Sequence, residues 1–114
     1  EAQAPQFISA DATVENSSVT AGCEIYGTVR NSVLGAGVYI GRGAVVEDSV
    51  VMNGVRIGEG ATVQYAILDE NVSVGKRCVI GASKESAKDI AVLGGGITIA
   101  DGATVDDGAM ISEQ

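Results

Sequence analysis

Aliphatic residues recur along residues 34–80 at a spacing that neither an amphipathic helix nor a simple alternating strand would give. Leu34, Ile40, Val46, Val51, Ile57, Val63, Leu68, Val74 and Ile80 open successive short units of six, six and five residues, so the pattern repeats every 17 residues. A six-residue unit with an aliphatic first residue and a small fifth residue suits a short strand followed by a tight corner. Three such sides close a triangle, and stacking the triangles sets each strand beside its counterpart one period on. The pattern predicts an all-β fold, a left-handed parallel β-helix of hexapeptide repeats with about five triangular coils. Parallel strands are nearly always joined by right-handed crossovers. Here the joins are bare corners with no helix to pack, so that preference lapses.

Corners demand a left-handed backbone, which costs least for Gly and little for Asn. Stacking by the repeat puts Gly22, Gly37, Gly54, Asn71 and Gly96 in one vertical column, and Gly43, Gly60, Arg77 and Gly102 in a second, where Arg77 alone breaks the rule. Fifth positions should point inward: Cys23, Val38, Val55, Val72 and Ile97 at one corner, Ala44, Ala61, Cys78 and Ala103 at the next. Residues 1–13, with the only proline at Pro5, read as a linker or capping lead-in that lays Phe7 and Ile8 over the first coil. Residues 14–111 form the coil itself, and 112–114 a frayed end. One turn, Val19 to Val33, is two residues short. The stretch Gly81 to Val92 is expected to run two residues long, with a small loop bulging at 82–88.

Composition agrees with this narrow architecture: aromatic residues make up 4% of the 114, as a triangular prism has little room for rings. A net charge of −8 argues against nucleic acid, whose phosphates it would repel. No apolar run approaches the ~20 residues of a membrane-spanning helix and no signal-peptide pattern is present, which makes the cytoplasm the expected location. Glu1 in place of an initiator Met fits a piece of a longer protein. Cys23 and Cys78 fall on different sides about three turns, or roughly 14 Å, apart, too far for a disulfide, and read as inert core residues.

Three surface columns follow from the stacking. Arg42, Glu59, Lys76 and Asp101 alternate in sign, as do Glu15, Arg30 and Glu47, and both read as ladders that fix register. Arg30, Arg42 and Arg56 are the candidate contacts for an anionic effector, although alternation pairs the charges that a phosphate would need free. Val33, Val50, Ile67 and Val92 each precede an inward aliphatic, so pleat alternation aims them outward as a continuous apolar strip. Such a strip is a candidate docking face for another subunit or domain.

Chemistry is mostly excluded. The chain has no His, so neither a His general base nor a zinc site of several His can be built, and no Ser-His-Asp or Cys-His pair exists. Gly94-Gly-Gly96 keeps the hexad phase of a corner and is no phosphate loop. No catalytic, metal-binding or cofactor-binding residue is assigned.

Against that background, Ala4-Pro-Gln-Phe-Ile-Ser, Gly22-Cys-Glu-Ile-Tyr-Gly-Thr-Val-Arg-Asn-Ser-Val-Leu34 and Gly43-Ala-Val-Val-Glu-Asp-Ser-Val-Val-Met52 carry a resemblance. Over roughly residues 4–111 the chain resembles the C-terminal β-helix of bacterial glucose-1-phosphate adenylyltransferase, which makes ADP-glucose from ATP and glucose 1-phosphate for glycogen synthesis. The resemblance implies a non-catalytic tail that supports oligomer assembly and takes part in allosteric control by sugar phosphates or nucleotides. Its partners would be further copies of itself or the missing catalytic domain of a parent nucleotidyltransferase. Gly35-Ala36, and Gln64-Tyr65 where some relatives carry basic effector contacts, depart from the family pattern. Two other readings stay open: a free-standing structural β-helix that trimerises, and the tail of another sugar-1-phosphate nucleotidyltransferase, such as a mannose-1-phosphate guanylyltransferase.

Overall fold

The computed structural model describes residues 5–112. Among them every regular element is a strand of two or three residues, eighteen in all. The strands fall into three parallel sheets, one for each side of the triangle. The first stacks Phe7–Ile8, Glu24–Ile25, Tyr39–Ile40, Arg56–Ile57, Ser73–Val74 and Thr98–Ile99. Thr13–Glu15, Thr28–Arg30, Val45–Glu47, Thr62–Gln64, Val79–Gly81 and Thr104–Val105 make the second, and Ser18–Val19, Val33–Leu34, Val50–Val51, Ala66–Leu68, Ala91–Leu93 and Met110–Ile111 the third. The expected parallel β-helix is present, with six rungs to each side rather than about five coils. It also starts earlier: Phe7 and Ile8 pair in register with Glu24 and Ile25. They are the first rung, not a plug, and both are exposed on it.

Strands this short hold because each inward side chain joins one continuous file. Ile25, Ile40, Ile57 and Val74 are in register on the first sheet and buried. Val29, Val46, Val63 and Ile80 form the file on the second sheet, and Leu34, Val51, Leu68 and Leu93 that on the third. Cys23, Val38, Val55 and Val72 fill one corner and Ala44, Ala61 and Cys78 the next, all fully or almost fully buried. Both cysteines are free, and each thiol donates to a main-chain carbonyl of the following turn, Cys23 to Gly35 and Cys78 to Ala100.

Both predicted corner columns take the left-handed backbone, Arg77 included at φ 58°. A third column, between the second and third sheets, does the same without glycine in its first four turns, where Asn16, Asn31, Asp48 and Tyr65 all have φ near 50°, and with Gly108 at φ 76° in the last. Beneath it runs a serine ladder. The hydroxyls of Ser17, Ser32 and Ser49 donate to the carbonyls two residues earlier and accept the N–H of Ser32, Ser49 and Ala66 from the turn that follows. One small side chain thereby satisfies two main-chain groups at a corner too sharp for a direct ladder bond. In Ser49→Ala the buried Ala66 N–H loses its acceptor, and a stability loss of about 2 kcal/mol is expected in urea unfolding. Ser17→Ala, nearer solvent, should cost less.

Turn length varies only at corners. Register offsets are 15 residues between Val14 and Val29, 17 between Val46 and Val63, and 25 between Ile67 and Val92. The short turn omits two residues at Tyr26-Gly27. The long one carries eight extra residues, not the two expected, because the change from 17 to 25 falls between Ile80 and Ala91. The loop forms where expected and returns to register: the Lys88 N–H donates to Asp107 Oδ2 at 2.7 Å, and the Ser86 and Ala87 N–H groups close on the Ser83 carbonyl. Of the frayed end expected at 112–114, residues 113 and 114 lie outside the described residues, as do 1–4 of the lead-in.

Candidate functional site

The third sheet presents the apolar strip. Val33, Val50, Ile67 and Val92 are consecutive partners in the ladder, and Met110 extends the column by one rung. Val33 is 51% exposed, Val50 39% and Met110 79%, with Ile67 and Val92 half-buried. The exposed Met52 stands beside the column, just past Val51. Sequence reasoning missed Met110 because it tracked inward aliphatics, although Met110 has the same place relative to Ile111 that Val92 has to Leu93. The 82–90 loop folds back on this side, bringing Lys84 to a hollow of about 460 Å³ shared with Val33, Val50, Asp48 and Tyr65. The insertion thus flanks the strip.

The three candidate arginines do not share a site. Arg30, on the second sheet, is clamped by Glu15 and Glu47, both at 3.0 Å. The hydrogen bonds to Glu47 and then Glu15 raise its pKa above the ordinary value, so it is spent on register. Arg42 lies at the corner between the first and second sheets. Because the turn beneath it is two residues short, its guanidinium passes over the Tyr26 ring at 6.0 Å and reaches Asp11 at 4.0 Å. Arg56 projects from the first sheet over the Tyr39 ring at 4.4 Å. The alternating column Arg42, Glu59, Lys76 and Asp101 is stacked as expected, yet among the described residues its side chains form no ion pairs with one another within 4.0 Å. Arg42 is drawn to Asp11 instead, and Asp101 Oδ1 accepts the Lys76 main-chain N–H at 2.8 Å.

Arg56 belongs to a different arrangement. Phe7, Tyr26 and Tyr39 follow one another up the outside of the first sheet as tilted rings, 43° and 49° between planes, with centroids 5.6 and 5.7 Å apart, and Arg56 continues the row. The Tyr26 hydroxyl donates to Glu24 Oε1, and partial burial together with that carboxylate raises its pKa. Beyond Arg56 the sheet carries a cleft of about 480 Å³. Gly58 and Gly75 line it and pack directly against the next turn, where an added Cβ would fall within 3 Å of neighbouring atoms. Glu59, Lys76 and Asp101 form the far wall.

Among the described residues no three His, Cys, Asp or Glu side chains cluster as a metal site would need, and no buried side-chain oxygen or nitrogen lacks a partner. No helix among them is long and apolar enough to cross a membrane. The arrangement offers surfaces for association and binding.

The chain is 35% identical over 111 residues to a glucose-1-phosphate adenylyltransferase of Desulfitobacterium hafniense, a match covering 95% of this chain and 28% of that enzyme. It is 51% identical over 47 residues to the enzyme of the same name from Thermosipho melanesiensis, covering 41% of this chain and 11% of that one. The chain therefore spans well under a third of the relatives it matches. Among solved structures, the acetyltransferase domain of PglB from Neisseria gonorrhoeae superposes with a TM-score of 0.83 over 97% of this chain and 53% of that one. At 24% identity this likeness is one of fold. The model of the GlmU-like, C-terminal hexapeptide family matches residues 5–100, and the chain belongs to that family.

Proposed function

We propose that this chain is the non-catalytic assembly and regulatory domain of a cytoplasmic glucose-1-phosphate adenylyltransferase, the enzyme that converts ATP and glucose 1-phosphate to ADP-glucose and pyrophosphate for glycogen synthesis. The observation that carries the reading is the unbroken outward column Val33, Val50, Ile67, Val92 and Met110, on a chain that spans 28% of a relative of that name. A soluble surface rarely keeps five stacked apolar side chains without a partner. The chain's own catalytic half, or another copy of the same chain, is the occupant that the relatives' length supports. The absence of His and of clustered metal ligands among the described residues suits a part that associates and does not turn over substrate.

The test changes Val50 and Ile67 together to Asp. Both point away from the core, so circular dichroism and the unfolding midpoint should stay close to the parent. Light scattering should show self-association lost, and a separately produced catalytic domain of the enzyme should no longer capture the chain. Undiminished association would reduce the strip to an ordinary outer face and return the free-standing reading.

A further inference from the structure

Sulfur is unevenly placed in this chain. Cys23 and Cys78 are fully buried, and each thiol is tied to a main-chain carbonyl. The only two methionines of the sequence, Met52 and Met110, are 36% and 79% exposed, and both stand on the outside of the third sheet. Met110 closes the apolar column as the ladder partner of Val92. Met52 follows Val50 by two residues, with the buried Val51 between them, so it shares the outer face about 6.6 Å along the chain from Val50. In the preceding turn the place beside it is taken by Gly35, whose N–H donates to the Val51 carbonyl and which has no side chain to cover the thioether.

The other members of the strip, Val33, Val50, Ile67 and Val92, are hydrocarbons that mild oxidants leave unchanged. A thioether is different. Its sulfur lone pair attacks one oxygen of hydrogen peroxide, the O–O bond breaks as the S–O bond forms, and the departing hydroxide takes the proton left on the transferred oxygen and leaves as water. Sulfur loses two electrons and the peroxide gains them. The sulfoxide is a polar acceptor where an apolar group stood. Pressed against a second apolar surface, its oxygen gives up water and gains no donor, a penalty the thioether does not carry. Neither sulfur belongs to an inward file, so the coil itself is unaffected.

We propose that Met52 and Met110 are sites of reversible oxidation by hydrogen peroxide, and that their sulfoxides release the contact made through the third-sheet strip. The proposal rests on the reading of that strip as a docking face and adds its regulation. Met110, the more exposed, reacts first. Met52, beside Val50 near the middle of the column, has the larger effect on association. A sulfoxide reductase reverses the change: two thiols become a disulfide, and the oxygen leaves sulfur as water.

The test oxidises the full chain with hydrogen peroxide and maps it by peptide mass spectrometry. A gain of about 16 Da is expected at Met110 and then at Met52, with Cys23 and Cys78 unmodified. Circular dichroism and urea unfolding should match the untreated chain. Association, followed by light scattering and by capture on the separately produced catalytic domain, should weaken about tenfold, equivalent to about 1.4 kcal/mol. Dithiothreitol with sulfoxide reductases for both epimers should restore it. The double variant Met52→Leu, Met110→Leu, close to the parent in volume, should associate as the parent does and ignore peroxide. Unchanged association after complete oxidation of both methionines would overturn the proposal and leave the docking face standing, as would an equal loss in the Leu variant or modification of the cysteines before the methionines. An untreated parent that neither self-associates nor binds the catalytic domain would overturn the docking face and this proposal with it.

Discussion

Gly27→Ala is expected to destabilise the chain by roughly 3 kcal/mol, although it adds one methyl group and asks for no unusual backbone angle. Gly27 sits in the turn that is two residues short, where the chain cuts the corner. A Cβ there would lie 2.4 Å from the Ala44 carbonyl oxygen and 2.7 Å from that of Gly41. Both are main-chain atoms already hydrogen-bonded: the Ala44 oxygen accepts from Thr28 across the ladder, and the Gly41 oxygen accepts from Ala44 within its own corner. Neither can give way without breaking a rung bond or a corner bond. Gly37→Ala is the comparison. Gly37 has φ +68° but open space around its Cβ direction, so the only cost is the left-handed backbone, about 1 kcal/mol. Gly37→Asn should recover part of that loss, as Asn71 holds the same place in its own turn. Urea unfolding of the three variants separates close approach from backbone preference, and equal losses would show that the short corner is not tightly packed.

The second large effect is expected of Ile57→Ala, at about 3 to 4 kcal/mol. Ile57 is fully buried in the middle of the first sheet's file, with Ile40 below and Val74 above. A prism one strand wide cannot collapse from its other sides, because three files already meet at its axis. The cavity therefore persists, and both neighbouring turns lose a contact. In a solenoid, stability is close to a sum of turn and interface terms, so the loss depends on position. Ile111→Ala, in the last described turn and half-exposed, should cost about 1 kcal/mol or less. Equal costs at the two sites would argue against nearest-neighbour stacking as the source of stability.

The sides of the triangle were legible because a side has one rule: its inward position must be aliphatic. Ile40, Ile57 and Val74 obey it and share a file. Corners were half legible. Glycine and asparagine announced two left-handed columns. The third relies on Asn16, Asn31 and Asp48, whose signal was available in the recurring Asn-Ser and Asp-Ser pairs, and on Tyr65, which gives none. Ion pairs among long exposed side chains were legible from stacking at Glu15, Arg30 and Glu47, which form, but not in the Arg42 column. Each is worth under about 1 kcal/mol, so Arg42 follows the short turn to Asp11 in preference to its vertical neighbour. The apolar strip followed from pleat alternation alone. The aromatic ladder did not, because the missing two residues at Tyr26-Gly27 bring Tyr26 between Phe7 and Tyr39, rings that equal spacing would not have joined.

The turns of 15, 17 and 25 residues have a practical meaning. Rungs stay aligned whatever the length between them, since every gain or loss of sequence is spent outside the triangle. Peptides of arbitrary length could be spliced between Gly81 and Ile90 as cargo, and the coil would carry them beside the same edge without any strand having to learn a new neighbour.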